Sequence, residues 1–268
     1  MKRIISLALA LLMLTTLFAF TGCGKKEDTL VCGVTNFEKM NEKDENGNWT
    51  GFESEFAMEV GKLIGMNVEF QEIDWNQKYM ELAAGTIDCI WNGFTANSSD
   101  KIDGVDKKRS DLVDFSYGYM LNQQCIVINK KNADTIKTVA DLAGKTAGVE
   151  GGSAGESYAS SVTDKLEKYP AQNKAFLEVK TGTVDFAVMD IVLAQNICGK
   201  GDYTDLMIVE GIELESEVYA IGFEKGSELT AKVNGAIKTL FDNGKIAELA
   251  EKYGFENVVK LVETIDFD

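Results

Sequence analysis

The chain contains no histidine. That excludes Ser-His-Asp and Cys-His nucleophilic catalysis, and zinc sites built on imidazole. Proline is almost missing too, Pro170 being the only one in 268 residues. Without a Pro-rich linker, any lobes are joined by strands that cross between them and not by a flexible tether. Cysteines are few and widely spaced, at Cys23, Cys32, Cys89, Cys125 and Cys198, with no C-x-x-C pair. This spacing gives neither a metal knot nor a disulfide framework, so buried free thiols are expected for the last four. Basic residues are in deficit, 27 against 43 acidic, for a formal net charge of −16. Such a charge argues against a nucleic-acid partner and against electrostatic docking on anionic lipid. Beyond Phe20 no apolar run reaches the roughly 18 residues that a membrane-spanning helix needs.

The one long apolar run, residues 4–20, follows Lys2 and Arg3 and ends at Thr21-Gly22-Cys23. A basic start, an apolar middle and a small-residue end form a secretory signal peptide. The ending resembles a bacterial lipobox, where cleavage falls before the cysteine and that cysteine carries the lipid. Residues 1–22 are then the signal, Cys23 the lipidated residue, and 23–28 a short polar tether to the membrane. The alternatives are an ordinary signal peptide or an uncut anchor. Removing 1–22 leaves 246 residues with a net charge near −18, enough for two lobes of about 100 residues each.

Short apolar runs alternate with helical patterns along the rest. Leu30 to Val34 reads as a strand, and the polar segment 42–49 as a turn. Phe52, Phe56, Val60, Leu63 and Ile64 recur at helical spacing, with Gly65 where a cap belongs. Residues 68–73 read as a strand, 75–84 as a helix closed by Gly85, and 87–91 as a strand. One unit occurs twice: Gly85-Thr86-Ile87-Asp88 before one apolar strand, Gly182-Thr183-Val184-Asp185 before another. Cys125 to Ile128 and Val218 to Phe223 are further strands, and 229–253 carries helical spacing broken at Gly244. The alternation implies an α/β fold with helices packed on sheets.

The order of these pieces resembles the extracellular solute-binding proteins of amino-acid ABC transporters, over essentially the whole chain after the signal. The resemblance rests on Gly51-Phe52-Glu53 with Glu55-Phe56-Ala57, then Leu82, Gly85 and Asp88, then Asn92-Gly93-Phe94-Thr95. It continues through Arg109, Asp114-Phe115-Ser116, Asp141-Leu142-Ala143-Gly144-Lys145, Gly148-Val149, Gly152-Ser153, Gly182, Asp185 and Asp190, and closes over 229–253. It implies a two-lobed periplasmic-binding-protein-like fold of type II, each lobe a mixed sheet flanked by helices, with two crossover strands. Lobe one would be 29–122 plus 217–268, lobe two 123–216. The resemblance further implies an amino-acid ligand held between the lobes, permease subunits as partners, a monomer, and no cofactor or metal.

A zwitterionic amino acid calls for a forked cation, an anion and polar donors. Arg109 suits the carboxylate, since a guanidinium binds it through two parallel hydrogen bonds. The stretch 97–108 is longer than the family pattern. If it displaces Arg109, then Lys101, Lys107 or Lys108 would take over. Asp190 ends an apolar strand, where open α/β sheets place ligands, and suits the ammonium; it could equally cap the next helix. Asn92, Gly93 and Thr95 would serve from lobe one, and Gly152 and Ser153 from a helix start in lobe two. Phe37 and Trp75 match the aromatic walls that such proteins place around the ligand side chain. Gly144-Lys145-Thr146 and the glycines 151–155 lack nucleotide-binding spacing.

The rival is an enzyme on the same scaffold, similar to dehydratases acting on cyclic amino-acid precursors. It would need a general acid in the cleft, for which Glu150 or Glu156 are the candidates.

Overall fold

A computed structural model describes residues 29–267. The expected signal peptide, tether and lipid-bearing Cys23 lie outside them. In chain order the elements are β1 (Thr29–Val34), β2 (Glu42–Lys43), β3 (Trp49–Thr50), α1 (Phe52–Ile64), β4 (Asn67–Glu72), α2 (Lys78–Ala83), β5 (Cys89–Ile90), β6 (Ser99–Ile102), β7 (Val105–Lys108), α3 (Arg109–Leu112), β8 (Asp114–Phe115) and β9 (Gly118–Asn129). There follow β10 (Thr146–Glu150), α4 (Ala154–Val162), β11 (Lys165–Tyr169), α5 (Gln172–Thr181), β12 (Phe186–Asp190), α6 (Ile191–Ile197), β13 (Leu206–Ile208), β14 (Ser216–Tyr219), β15 (Gly222–Phe223), α7 (Glu228–Asp242), α8 (Lys245–Tyr253) and β16 (Val259–Val262).

Two mixed sheets result. The first runs β4-β1-β5-β15-β8, with β4, β1 and β5 parallel and β15 antiparallel to both of its neighbours. The second runs β11-β10-β12-β9-β13, with β11, β10 and β12 parallel and β9 antiparallel to β12 and β13. The 12-residue strand β9 belongs to that second sheet through its later residues. Its earlier residues pair instead with β14 and β16, Glu217 lying opposite Asn122 and Ser216 opposite Gln123. β9 and β14 are therefore an antiparallel pair that carries the chain out and back between two sheet-rich lobes.

The repeated corner performs the same task in each lobe. Gly85 and Gly182 both adopt left-handed φ, 69° and 83°, which ends the preceding helix at no Cβ cost. The Asp three residues on then turns its carboxylate back to the neighbouring parallel strand of its own sheet. Asp88 Oδ2 accepts from Val31 N at 2.8 Å, and Asp185 Oδ2 accepts from Thr146 N at 2.8 Å.

Helix α1 packs on the first sheet through Phe52, Phe56, Ala57 and Val60, and Gly65 caps it with φ 74°. Phe56 meets the edges of Trp91 and Tyr119, ring centroids 5.2 and 5.5 Å away. Local structure departs from expectation in four places. The strand expected over 218–223 is two, β14 pairing with β9 and β15 with β5 and β8. Segment 42–49 is a small hairpin of β2 and β3 around a turn held by Asp44, not a turn alone. Residues 75–77 form one turn of 3-10 helix before α2, because the Asp74 side chain accepts from Asn76 N and tightens the start. The strand expected over 87–91 pairs only at Cys89–Ile90. Cys32, Cys89 and Cys125 are buried free thiols and Cys198 is a half-buried one. Among the described residues no helix is long and apolar enough to cross a membrane.

Candidate functional site

The cleft floor is set by two strand ends and the paired crossing strands. β12 delivers Asp190 and β10 delivers Glu150. From β9 come Asn122 and Gln124, and from β14 comes Glu217. All five are at least nine-tenths buried. Asn122 Nδ2 donates to Asp190 Oδ1 at 2.7 Å and to Glu217 Oε2 at 2.5 Å. Gln124 Nε2 donates to the same two carboxylates, at 2.7 and 3.1 Å. The Gln172 amide donates to the other Asp190 oxygen, and Thr95 Oγ1 to Glu217 at 3.2 Å.

Burial therefore dominates the electrostatics. It raises the Asp190 carboxyl above its ordinary range despite these hydrogen bonds. Burial and the Asp190 charge together lift Glu217 to about 7, and the same two causes lift Glu150 to about 8. Three acceptor atoms at this spot, Asn122 Oδ1, Gln124 Oε1 and Glu150 Oε1, are buried with no hydrogen-bond partner. Orphaned acceptors beside raised carboxylates fit a cationic, donor-rich group.

The opposite wall is cationic. Arg109 opens α3 and is buried, donating from Nη1 to Thr95 O at 3.0 Å. Its Nε and Nη2 both donate to Asp100 Oδ1, at 2.9 and 2.8 Å. Lys78, at the start of α2, is also buried. It donates to Gly152 O at 2.7 Å and lies 3.2 Å from Asp100 Oδ2, which also accepts from Tyr79 OH at 2.7 Å. Burial alone would raise Asp100, but the charges of Arg109 and Lys78 outweigh it and hold the carboxyl well below the carboxylate range. Burial lowers Lys78 to about 8 even with Asp100 beside it.

A cavity of about 10 Å³ remains between these walls, room for one water at most. Of the residues expected from sequence, Trp75, Asn92, Gly93, Thr95, Arg109, Ser153 and Asp190 line it together. Asn92 faces inward as a brace: its Oδ1 accepts from Thr35 N and its Nδ2 donates to Thr35 Oγ1. Trp75 packs edge-on against Phe94 at 5.5 Å. Ser153 is the N-cap of α4 and accepts from Glu156 N, while Asp190 makes no side-chain cap to α6. Two residues lie elsewhere. Phe37 is not on the cavity wall; it packs behind Gly93, where a Cβ would meet its ring at 2.7 Å. Gly152 contributes its carbonyl to Lys78 and Arg109 and lines an adjoining chamber. Arg109 is not displaced, and Lys101, Lys107 and Lys108 stay exposed on the inserted segment.

Sequence reasoning missed Lys78, Asp100, Asn122, Gln124, Gln172 and Glu217. The run Asn122-Gln123-Gln124 inside an otherwise apolar strand was the available signal, since buried amides in a strand need partners.

The lobes are closed on one another. Besides the Lys78 contact, Lys39 Nζ donates to Asn196 Oδ1 at 2.9 Å, and Ser157 Oγ to Ser99 O at 3.1 Å. Residues 30–257 match the family model described as bacterial extracellular solute-binding proteins, family 3. The chain belongs to this family. Solute-binding proteins similar to it include the arginine-binding extracellular protein ArtP of Bacillus subtilis, 29% identical over 88% of this chain and 92% of that protein. The L-cystine-binding protein TcyA of the same organism is 27% identical over 94% of this chain and 98% of its own length. Among solved structures, an ancestral arginine-binding protein bound to arginine superposes with a TM-score of 0.75. It is 33% identical, over 84% of this chain and 98% of that one.

Proposed function

We propose that this solute-binding protein is a lipid-anchored receptor that captures an amino acid outside the cytoplasm and delivers it to an ABC-transporter permease. The observation that carries the reading is the paired walls of the cleft: Arg109 and Lys78 on one side, the orphaned acceptors around Asp190 and Glu217 on the other. A carboxylate and an ammonium at fixed separation match that polarity. The names of ArtP and TcyA, which bind arginine and cystine, support an amino acid as the solute.

In this reading Asp190 holds the ammonium, Arg109 receives the carboxylate, and Thr95, Gly93 and Ser153 add donors, with Trp75 along the side chain. Lobe one, 29–122 plus 217–268, and lobe two, 123–216, move as two units about β9 and β14, and ligand shifts the balance toward the closed form. A Kd of 1 μM requires roughly 8 kcal/mol, within reach of two buried charged pairs and an aromatic contact. Cys23 carries the lipid, and the protein acts as a monomer that does no chemistry on its ligand.

Calorimetric titration of refolded, ligand-stripped protein against the twenty amino acids, cystine and glutathione tests the reading. One tight amino acid, lost on Asp190→Ala, is the expected result; silence across all of them would overturn it. Mass spectrometry of the membrane fraction for a diacylglyceryl group on Cys23 checks the anchor. One feature favours a second reading, a dehydratase: Glu150 in the cleft is held near a pKa of 8, as a general acid would be. Turnover of prephenate in the same series would decide for it.

A further inference from the structure

We propose that Asp100 is a tethered stand-in for the ligand's carboxylate, occupying the Arg109 fork in the empty protein and setting both affinity and selectivity by competing with the ligand for it. The proposal rests on the amino-acid reading for the identity of the competitor, but not for the filling of the fork.

Strands β6 and β7 form a ribbon closed by Asp103 and Gly104, with φ of 52° and 79°. Two central residues at positive φ make the primed turn that suits a two-residue hairpin. This ribbon is the insertion seen in the sequence. On it, all four residues of β7 are exposed, and Asp100 is the only residue of β6 that is fully buried. An otherwise solvated ribbon thus places one carboxylate in the cleft.

The surroundings of that carboxylate are those a free carboxylate ligand would seek. Oδ1 takes two guanidinium N–H groups, and Oδ2 takes the Tyr79 hydroxyl and faces the Lys78 ammonium. With Nη1 on Thr95 O, the Nε and Nη2 edge of Arg109 is the one suited to a two-bond clamp, and Asp100 already has it. A ligand carboxylate must displace Asp100 or go without the guanidinium.

Displacement has somewhere to go. A chamber of about 430 Å³ adjoins the ribbon, lined by Ser99, Asp100 and Lys101 on one side and Gly152, Glu156 and Ser157 on the other. The ribbon is held to lobe two by the Ser157–Ser99 bond at the chamber's edge. Because the ribbon holds Asp100 beside the fork at a fixed effective concentration, it weakens every carboxylate ligand that must displace it. It does not weaken an amine that lacks the carboxylate.

Two measurements test this. In the first, melting temperatures of wild type and Asp100→Ala are followed against sodium formate, with sodium chloride at equal ionic strength as control. A saturable rise in the variant and none in wild type is expected; no rise in the variant overturns the proposal, whatever the natural ligand is. In the second, L-arginine and agmatine, its decarboxylated form, are titrated into wild type and Asp100→Asn, which keeps the side-chain shape. L-Arginine is expected to bind the variant at least tenfold more tightly, with agmatine changed much less. L-Arginine binding more weakly to the variant, or both probes shifting equally, overturns it. If neither protein binds either probe, the arginine-like solute fails, and the formate result alone decides the role of Asp100.

Discussion

The carboxylates of Asp190 and Glu217 share two donors: the side-chain amides of Asn122 and Gln124 each reach both. Asp190 ends a strand of the second sheet, while Glu217 lies on the strand that returns toward the first. The two acids thus sit at the pivot between the lobes, buried together with fewer positive charges than they need.

That arrangement makes the ligand-free protein sensitive to pH near neutrality. Glu150 is held near 8, and Glu217 and Glu53 near 7, all mainly by burial, against an ordinary value of 4.5. A carboxyl raised on folding binds its proton more tightly in the native state. The stability from these protons is complete below pH 4.5 and is lost as pH rises through 7 to 8. The melting temperature of ligand-stripped protein should therefore fall between pH 5.5 and 7.5, before Lys78, held near 8, begins to lose its proton. Each such proton contributes up to about 1.4 kcal/mol per pH unit. Glu150→Gln should flatten the slope; an unchanged slope would remove Glu150 from the account.

The same acids predict proton release on binding. An ammonium placed among Asp190, Glu217 and the orphaned Glu150 Oε1 favours their ionised forms and lowers their pKa values. At pH 7 binding of the cognate amino acid should expel about one proton, read as a dependence of the calorimetric enthalpy on buffer ionisation heat. Asp190→Asn should weaken binding by about 2–4 kcal/mol, since it leaves the ligand's charge buried without its partner. Its melting temperature without ligand should hold or rise. A variant that lost stability but kept affinity would reassign Asp190 to structure.

Glu53 supports the site from behind. Its buried carboxylate accepts from Gly93 N at 2.8 Å, Asn41 Nδ2 at 2.5 Å and the Tyr119 hydroxyl. Glu53→Ala strands these donors in the interior and should cost about 3 kcal/mol, measurable by urea unfolding. Glu53→Gln, which keeps an acceptor, should cost clearly less. Equal costs would mean that volume, not hydrogen bonding, is what Glu53 supplies.

The parts of this architecture that were legible in the sequence are those with local causes. The paired Gly-Thr-x-Asp corners were legible as helix-to-strand turns because a glycine at left-handed φ ends a helix locally, whereas the bond from each Asp to the neighbouring strand came only with the fold. The place of Asp190 on the cavity wall was readable from its position after the four apolar residues 186–189, and that of Arg109 from its spacing to Phe115. The cation pair was not, because Lys78 and Asp100 meet only through folding of a helix start against an inserted ribbon. The Asp103-Gly104 hairpin went unread in the stretch 97–108, and nothing local says that Asp100 turns inward while Lys101 beside it stays in water. Phe37, expected along the ligand side chain, instead packs behind Gly93, because the fold brings residues 37 and 93 together and no local pattern states that contact.

That glycine yields a last prediction. Gly93 has φ 55°, a conformation that costs an L-residue about 1–2 kcal/mol. A Cβ there would also stand 2.7 Å from the Phe37 ring and 3.2 Å from that of Tyr219. Both rings are buried and packed, so neither can simply swing away. Gly93→Ala should lower stability by about 2–4 kcal/mol, the sum of backbone strain and overpacking, and should weaken ligand because the loop also carries Thr95. The double variant Gly93→Ala with Phe37→Leu removes the ring contact but not the strain. It should recover part of the loss, and no recovery would place the whole effect in the backbone.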